Sequence, residues 1–328
     1  MQSDFSKRPT RRALLGAATA TLALPGLLRA GPRAVETLTG PAFGTAWQVT
    51  LPAGQGIDAL RAPILALLAD VDAQMSPWRA DSDISRFNAA GPGACALPAE
   101  TLAVTGAALA LARQSGGHFD PTVGPQVARW GFGPIAGAGA PDWQGLTLDE
   151  GAVIKARAGL TLDLCGIAKG HALDRMGALL RAAGHRDFLI DLGGELLARG
   201  QHPEGRAWQV AVEDPRPEAA GLAGVLALTG AVATSGLKAQ SYTLGGARYG
   251  HIIDPATGAP VATGLLSVSV LGASAMQADG WATALFAAAA EGPALARCAG
   301  LDALFLSAGA GGLHRQTTGA FAQHLKGV

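Results

Sequence analysis

Short apolar runs with the alternation of β-strands are interleaved, without strict alternation, with stretches whose apolar residues recur at helical spacing. The segment TGPAFGTAWQV, between Leu38 and Leu51, reads as a strand. A helix is predicted over 58–75, where Leu60, Ile64, Leu67, Leu68, Val71 and Met75 share a face and Asp58 is placed to cap it. A polar, turn-rich connection follows over 76–93, then a second helix over 99–115 that stops at Gly116-Gly117. Residues 131–145 read as a surface loop. A short strand is expected at 161–164, turning at Gly166 into a helix that ends near Ala183 and Gly184. The strand DFLIDL, the pair Gly193-Gly194 and a further apolar run predict a hairpin. Strands near 207–213, 225–234, 249–253 and 266–271 precede a helix over 274–290 and a strand near 301–306. This order predicts an α/β (α+β) fold: one catalytic domain over 34–328 with mixed sheets and packed helices. With 46 Gly and 19 Pro but no fixed glycine period, the chain is loop-rich and not fibrous.

Charge narrows the function classes. Lys and Arg number 25, as do Asp and Glu, so no global field recruits nucleic acid or anionic lipid. Hydrophobic residues at 49% exclude disorder as the main state. Cys95, Cys165 and Cys298 lie far apart without metal-binding spacing, so they are expected to be reduced, as small buried hydrophobes often are. Residues 8–28, RPTRRALLGAATATLALPGLL, carry the pair Arg11-Arg12 before an uncharged apolar stretch, too short to span a bilayer comfortably. Residues 1–33 are therefore expected to be a twin-arginine signal peptide, and the mature protein periplasmic.

Several segments can carry chemistry. Asp279 and Thr283 in SAMQADGWATALF are four apart, which puts a carboxylate and a hydroxyl on one helix face where both oxygens can approach a hard cation. The same spacing also fits a solvated Asp279 and a Thr283 that bonds back to its own helix. In LDLCGIAKGHALD, residues 162–174, Lys169 and the backbone N–H groups after Gly166 gather near one strand end, an arrangement suited to phosphate or equally to an ordinary strand-to-helix turn. GGHFDPTVGP and HIIDPATGAPV each place Asp before Pro, at Asp120 and Asp254, as structural turns do. His251 opens the second of them, either as a structural histidine or as a general base.

Taken in order, FGTAW (43–47), MSPWRADSDISRFN (75–88), GGHFDPTVGP (116–125), LDLCGIAKGHALD (162–174), LIDLGGELLARG (189–200), ATSG (233–236), HIIDPATGAPV (251–261) and SAMQADGWATALF (274–286) resemble the FAD:protein FMN transferase (ApbE) family. The resemblance implies FAD contacts at Phe43, Trp78, His118, Phe119, Asp120, Asp163, Lys169 and Ile253. It implies Mg²⁺ held by the Gly166 carbonyl with Asp279 and Thr283, and catalytic roles for His251, Asp279 and Lys169, with His251 taking the proton of the acceptor hydroxyl. The implied reaction cleaves FAD, attaches FMN through a phosphoester to a threonine of an exported or periplasm-facing redox protein, and releases AMP. Two other activities fit the same segments: FAD hydrolysis by a pyrophosphatase, and flavin binding or delivery without chemistry. Phe43, His118, Cys165 and the run Leu237, Lys238, Ala239 and Gln240 depart from the residues usual in the family.

Overall fold

The pair Phe43-Gly44 decides how the chain enters its sheet. Both residues have left-handed backbone, with φ of 50° and 74°, the geometry of a two-residue hairpin turn whose twist matches that of paired strands. The run expected as one strand is therefore a hairpin, Val35–Ala42 against Thr45–Pro52, with Ala42 opposite Thr45. The computed structural model describes residues 34–217, 219–309 and 311–326, and the expected signal peptide lies outside them.

That hairpin forms one edge of an eight-stranded sheet, which continues through Phe188–Leu192, Glu195–Arg199, Gly230–Gly236, Leu265–Gly272, Asp302–Gly309 and Gly312–Thr318. Spatial order follows chain order, and every strand pairing among the described residues is antiparallel. The α+β form of the expected class is the one realised. Parallel pairing, which a mixed sheet would need, is absent because each strand reaches its neighbour by a turn or by an insertion that returns beside the point it left. One insertion adds Trp208–Glu213 and Leu222–Leu228, which pair with each other and with Leu325–Lys326 in a separate three-stranded sheet. The strand expected over 225–234 breaks at Gly230, whose φ of 103° lets the chain pass from the small sheet to the large one.

Four helices, Arg61–Met75, Ala99–Gln114, Ala168–Ala182 and Ala275–Ala287, contribute to one core with the large sheet; Trp47, Ile64, Leu173, Ile190, Val268 and Phe286 are all fully buried there. Burying a side chain such as Phe286 contributes about 1.5–3 kcal/mol. Asp58 lies within a 3-10 turn, Ile57–Leu60, and caps neither that turn nor the helix after it. No described helix is long and apolar enough to cross a membrane. The cysteines are unpaired as expected, but Cys165 and Cys298 are exposed.

The connection over 76–93 contains a helix, Asp83–Ala89, capped by the Ser82 hydroxyl, which accepts from Ser85 N at 3.0 Å. This short helix explains why the strand expected at 161–164 does not form. The Asn88 amide takes the place of a neighbouring strand: Leu162 N–H donates to Oδ1 at 2.7 Å and Nδ2 donates to the Leu162 carbonyl at 3.0 Å. Asp163 N–H donates to the Pro121 carbonyl at 2.7 Å, so the segment stays extended without a ladder. Leu160, Leu162 and Leu164 are buried along it. Lys155, 1% exposed, holds the end of the same helix by donating to the carbonyls of Phe87 at 2.6 Å and Ala90 at 2.9 Å. The Asn88→Ala variant is expected to lose about 2–4 kcal/mol of unfolding free energy, because two backbone groups lose their partner. Urea unfolding reads this directly, and a loss within error of zero would mean that water replaces the amide.

Candidate active site

The insertions bring their polar residues to one cleft of about 860 Å³. His118, Phe119, Asp120, Asp163, Gly166, Lys169, His251, Ile253, Asp279 and Thr283 all line it. Phe43 and Trp78 lie outside this lining: Phe43 sits in the hairpin turn, partly packed on the core, and Trp78 is 60% exposed.

Two helices build the floor. The Ala275–Ala287 helix presents Asp279 and Thr283 one turn apart, and the Ala168–Ala182 helix begins just after Gly166. Thr283 Oγ1 lies 3.5 Å from the Gly166 carbonyl and 3.2 Å from Ser235 Oγ. Asp279 is 4% exposed, so it is not a solvated helix residue, and its Oδ2 accepts from Gly170 N–H at 2.9 Å. A Cβ on Gly166 would lie 3.2 Å from the Phe119 ring and from Thr283 Oγ1, so glycine keeps this corner open.

Lys169 reaches the same floor, with Nζ 2.7 Å from Glu195 Oε1. Burial works against its ammonium, but the carboxylates of Glu195 and Asp279 outweigh that and raise its pKa. Glu195 is 2% exposed, and its Oε2 has no partner. Burial pushes Glu195 up to about 7 while Lys169 pulls it back. Burial likewise raises Asp279, against the pull of Lys169 and Gly170 N–H. Asp120 and Asp163 are raised by burial too, although Thr122 donates to the first and Cys165 N–H to the second. A cleft crowded with carboxyls that resist ionisation favours the entry of positive charge.

The donors present fit a hard cation. A backbone carbonyl, a carboxylate and a hydroxyl line the same cleft, all oxygen, and Mg²⁺ characteristically takes few protein oxygens and fills its shell with water and phosphate. Among the described residues no three His, Cys, Asp or Glu side chains gather as a soft-metal site would require.

His251 stands at the cleft beside the short strand Ile253–Asp254. Its Nδ1 lies 3.2 Å from the Gln240 carbonyl, which can only accept, so the proton resides on Nδ1 and Nε2 is left as a free base. Burial lowers its pKa, which keeps the ring neutral at pH 7. The Phe132 ring packs edge-on against it, with centroids 6.3 Å apart. Glu195 and Ser235 lie in the segments LIDLGGELLARG and ATSG, but the sequence assigns neither of them a role.

A profile of the ApbE family matches residues 43–305. A Klebsiella pneumoniae (strain 342) protein named FAD:protein FMN transferase is 33% identical over 288 residues, covering 78% of this chain and 79% of its own length. A Vibrio cholerae protein of the same name is 35% identical over 269 residues, 76% of this chain and 80% of that one. The solved flavin transferase ApbE from Vibrio cholerae superposes with a TM-score of 0.80 at 31% identity, over 89% of this chain and 99% of that chain. Pseudomonas stutzeri flavinyl transferase ApbE, in its apo form, gives 0.80 at 32% identity over 90% and 98%.

Proposed function

Since the chain belongs to the ApbE family, we propose that it is a Mg²⁺-dependent FAD:protein FMN transferase acting on a threonine of an exported redox protein. The observation that carries this reading is that Gly166, Asp279, Thr283, Lys169 and His251 line one cleft, with Thr283 Oγ1 3.5 Å from the Gly166 carbonyl and Nδ1 of His251 on the Gln240 carbonyl.

The FAD pyrophosphate would lie against Lys169, whose ammonium faces its negative oxygens. Gly166 O, Asp279 and Thr283 would hold the Mg²⁺, which when bound neutralises pyrophosphate charge. His251 Nε2 takes the proton of the acceptor threonine as its oxygen attacks the FMN-side phosphorus. The new Thr O–P bond forms while the bond from that phosphorus to the bridging oxygen breaks, and AMP leaves with the bridging oxygen. Phe119 and Ile253, both nearly buried, supply apolar wall, and His118 and Asp120 border it. The basic, apolar character of residues 8–28 supports export by the twin-arginine route and a periplasmic site of action.

The test is intact-protein mass spectrometry of a threonine-bearing acceptor domain incubated with the mature protein, FAD and Mg²⁺. The expected result is a gain of one FMN that disappears with EDTA. FMN and AMP released into solution with no mass gain would replace the transferase by a pyrophosphatase. FAD left intact would overturn both.

A further inference from the structure

The cation site is divided between two chain segments that are far apart in sequence, so something must fix the distance between them. The segment from Gly166 into the helix Ala168–Ala182 meets the helix Ala275–Ala287 in three rungs spaced by four, 166 with 283, 170 with 279 and 174 with 275, so the two run antiparallel. Thr283 Oγ1 faces the Gly166 carbonyl at 3.5 Å, and Gly170 N–H donates to Asp279 Oδ2 at 2.9 Å. In the third rung Asp174 reaches the start of the partner helix. Its Oδ1 accepts from Ala275 N at 2.9 Å, and its Oδ2 accepts from Met276 N at 3.0 Å and from the Ser274 hydroxyl at 2.7 Å.

Glycine at 170 is what lets the rungs close. A Cβ there would stand 2.3 Å from the Ala275 carbonyl oxygen, so the two backbones touch. A carboxylate that takes two otherwise free N–H groups at a helix N-terminus fixes that end both by hydrogen bonds and by the helix dipole. Asp279 and Thr283 lie one and two turns further along the same rigid helix.

Resting on the cation assignment above, we propose that Asp174 is a positioning residue for the cation site: it clamps the Asp279 and Thr283 helix in register with the Gly166 carbonyl. It does not line the cleft. The third rung sets the gap that the first two close around the ion, as outer-shell partners do for metal ligands.

Mn²⁺ is the probe, with free ion read by electron paramagnetic resonance on the full mature chain with FAD bound. Asp174→Ala is expected to weaken Mn²⁺ binding about 10–100-fold and to raise the Mg²⁺ needed for half-maximal FMN transfer in parallel. Excess Mg²⁺ should restore most of the turnover, which a general loss of folding would not allow. Asp174→Asn, which keeps one acceptor oxygen, should fall between wild type and alanine, and it decides the matter where the alanine variant does not fold. Wild-type Mn²⁺ affinity in a folded Asp174 variant overturns the proposal. Absence of Mn²⁺ binding by the wild type overturns it together with the cation assignment. Normal Mn²⁺ binding by a wild type that transfers no FMN overturns the transferase reading alone.

Discussion

Asp279→Ala is expected to lower kcat for FMN transfer by about 10²–10³-fold, the scale on which removing one preorganised electrostatic partner of a transferring group acts. The reason is charge. Gly166 contributes a carbonyl and Thr283 a hydroxyl, so Asp279 is the only anion among the three proposed cation donors. Alanine also leaves Gly170 N–H without its acceptor, which costs stability as well. Asp279→Asn separates the two effects, because an amide oxygen can still accept from Gly170 while the charge is gone. It should lose transfer as severely as alanine does. Burial raises the Asp279 pKa, so this carboxyl lowers stability as pH rises through the ordinary carboxyl range, where the unfolded chain gives up the proton more readily than the folded one. With EDTA at pH 7, the asparagine variant is therefore expected to melt at a higher temperature than wild type. Near-wild-type transfer by either variant would remove Asp279 from the cation site.

His251→Gln is expected to lower kcat by about 10²–10⁴-fold, the usual contribution of a general base, with little change in FAD affinity. The pH profile separates a base from a bystander. Burial sets the imidazole pKa below its ordinary value, so the acid limb of wild-type transfer should lie at lower pH than an ordinary histidine would give, falling as the ring takes its second proton. The glutamine variant has nothing to titrate there, and its residual rate should show no acid limb from this position. A variant that keeps the wild-type kcat, or the wild-type acid limb, would assign the proton transfer elsewhere. The Gln240 carbonyl contributes by fixing the tautomer, and since it is backbone, this part of the device survives any side chain at 240.

The floor of the site was legible in the sequence because its signal is local. A spacing of four on one helix places Asp279 and Thr283 together whatever surrounds them, and Gly166 precedes a helix start that the pattern LDLCGIAKGHALD announces. Ordered motifs, rather than periodicity, brought in His118, Asp120 and His251, and the fold gathers all three at the cleft. What escaped depended on distant partners. The segment 161–164 has the composition of a strand, but its neighbour is one amide from a helix seventy-odd residues earlier, and no period records such a partner. The hairpin at 43–44 was hidden by unbroken alternation on both sides of a turn that only two positive φ angles define. Glu195 followed a glycine pair that reads as ordinary turn chemistry, and its burial against Lys169 is a product of the assembled fold.

The large sheet meets its strands in chain order, so every insertion departs and returns at adjacent ladder positions. Gly236 lies opposite Ser267, so the stretch between the two strands, His251 included, leaves and rejoins the sheet at that one pair of strand ends and is braced from outside by Phe132 against His251 and by Trp130 Nε1–H donating to the Gly258 carbonyl. The proposed cation donors hang elsewhere: Gly166 in the insertion between 52 and 188, Asp279 and Thr283 in that between 272 and 302. The proposed base and the proposed cation donors thus come from different insertions on a common frame. On the proposed function, an exchange within 237–264 changes the surroundings of the proposed base while the sequences that carry the cation donors stay the same.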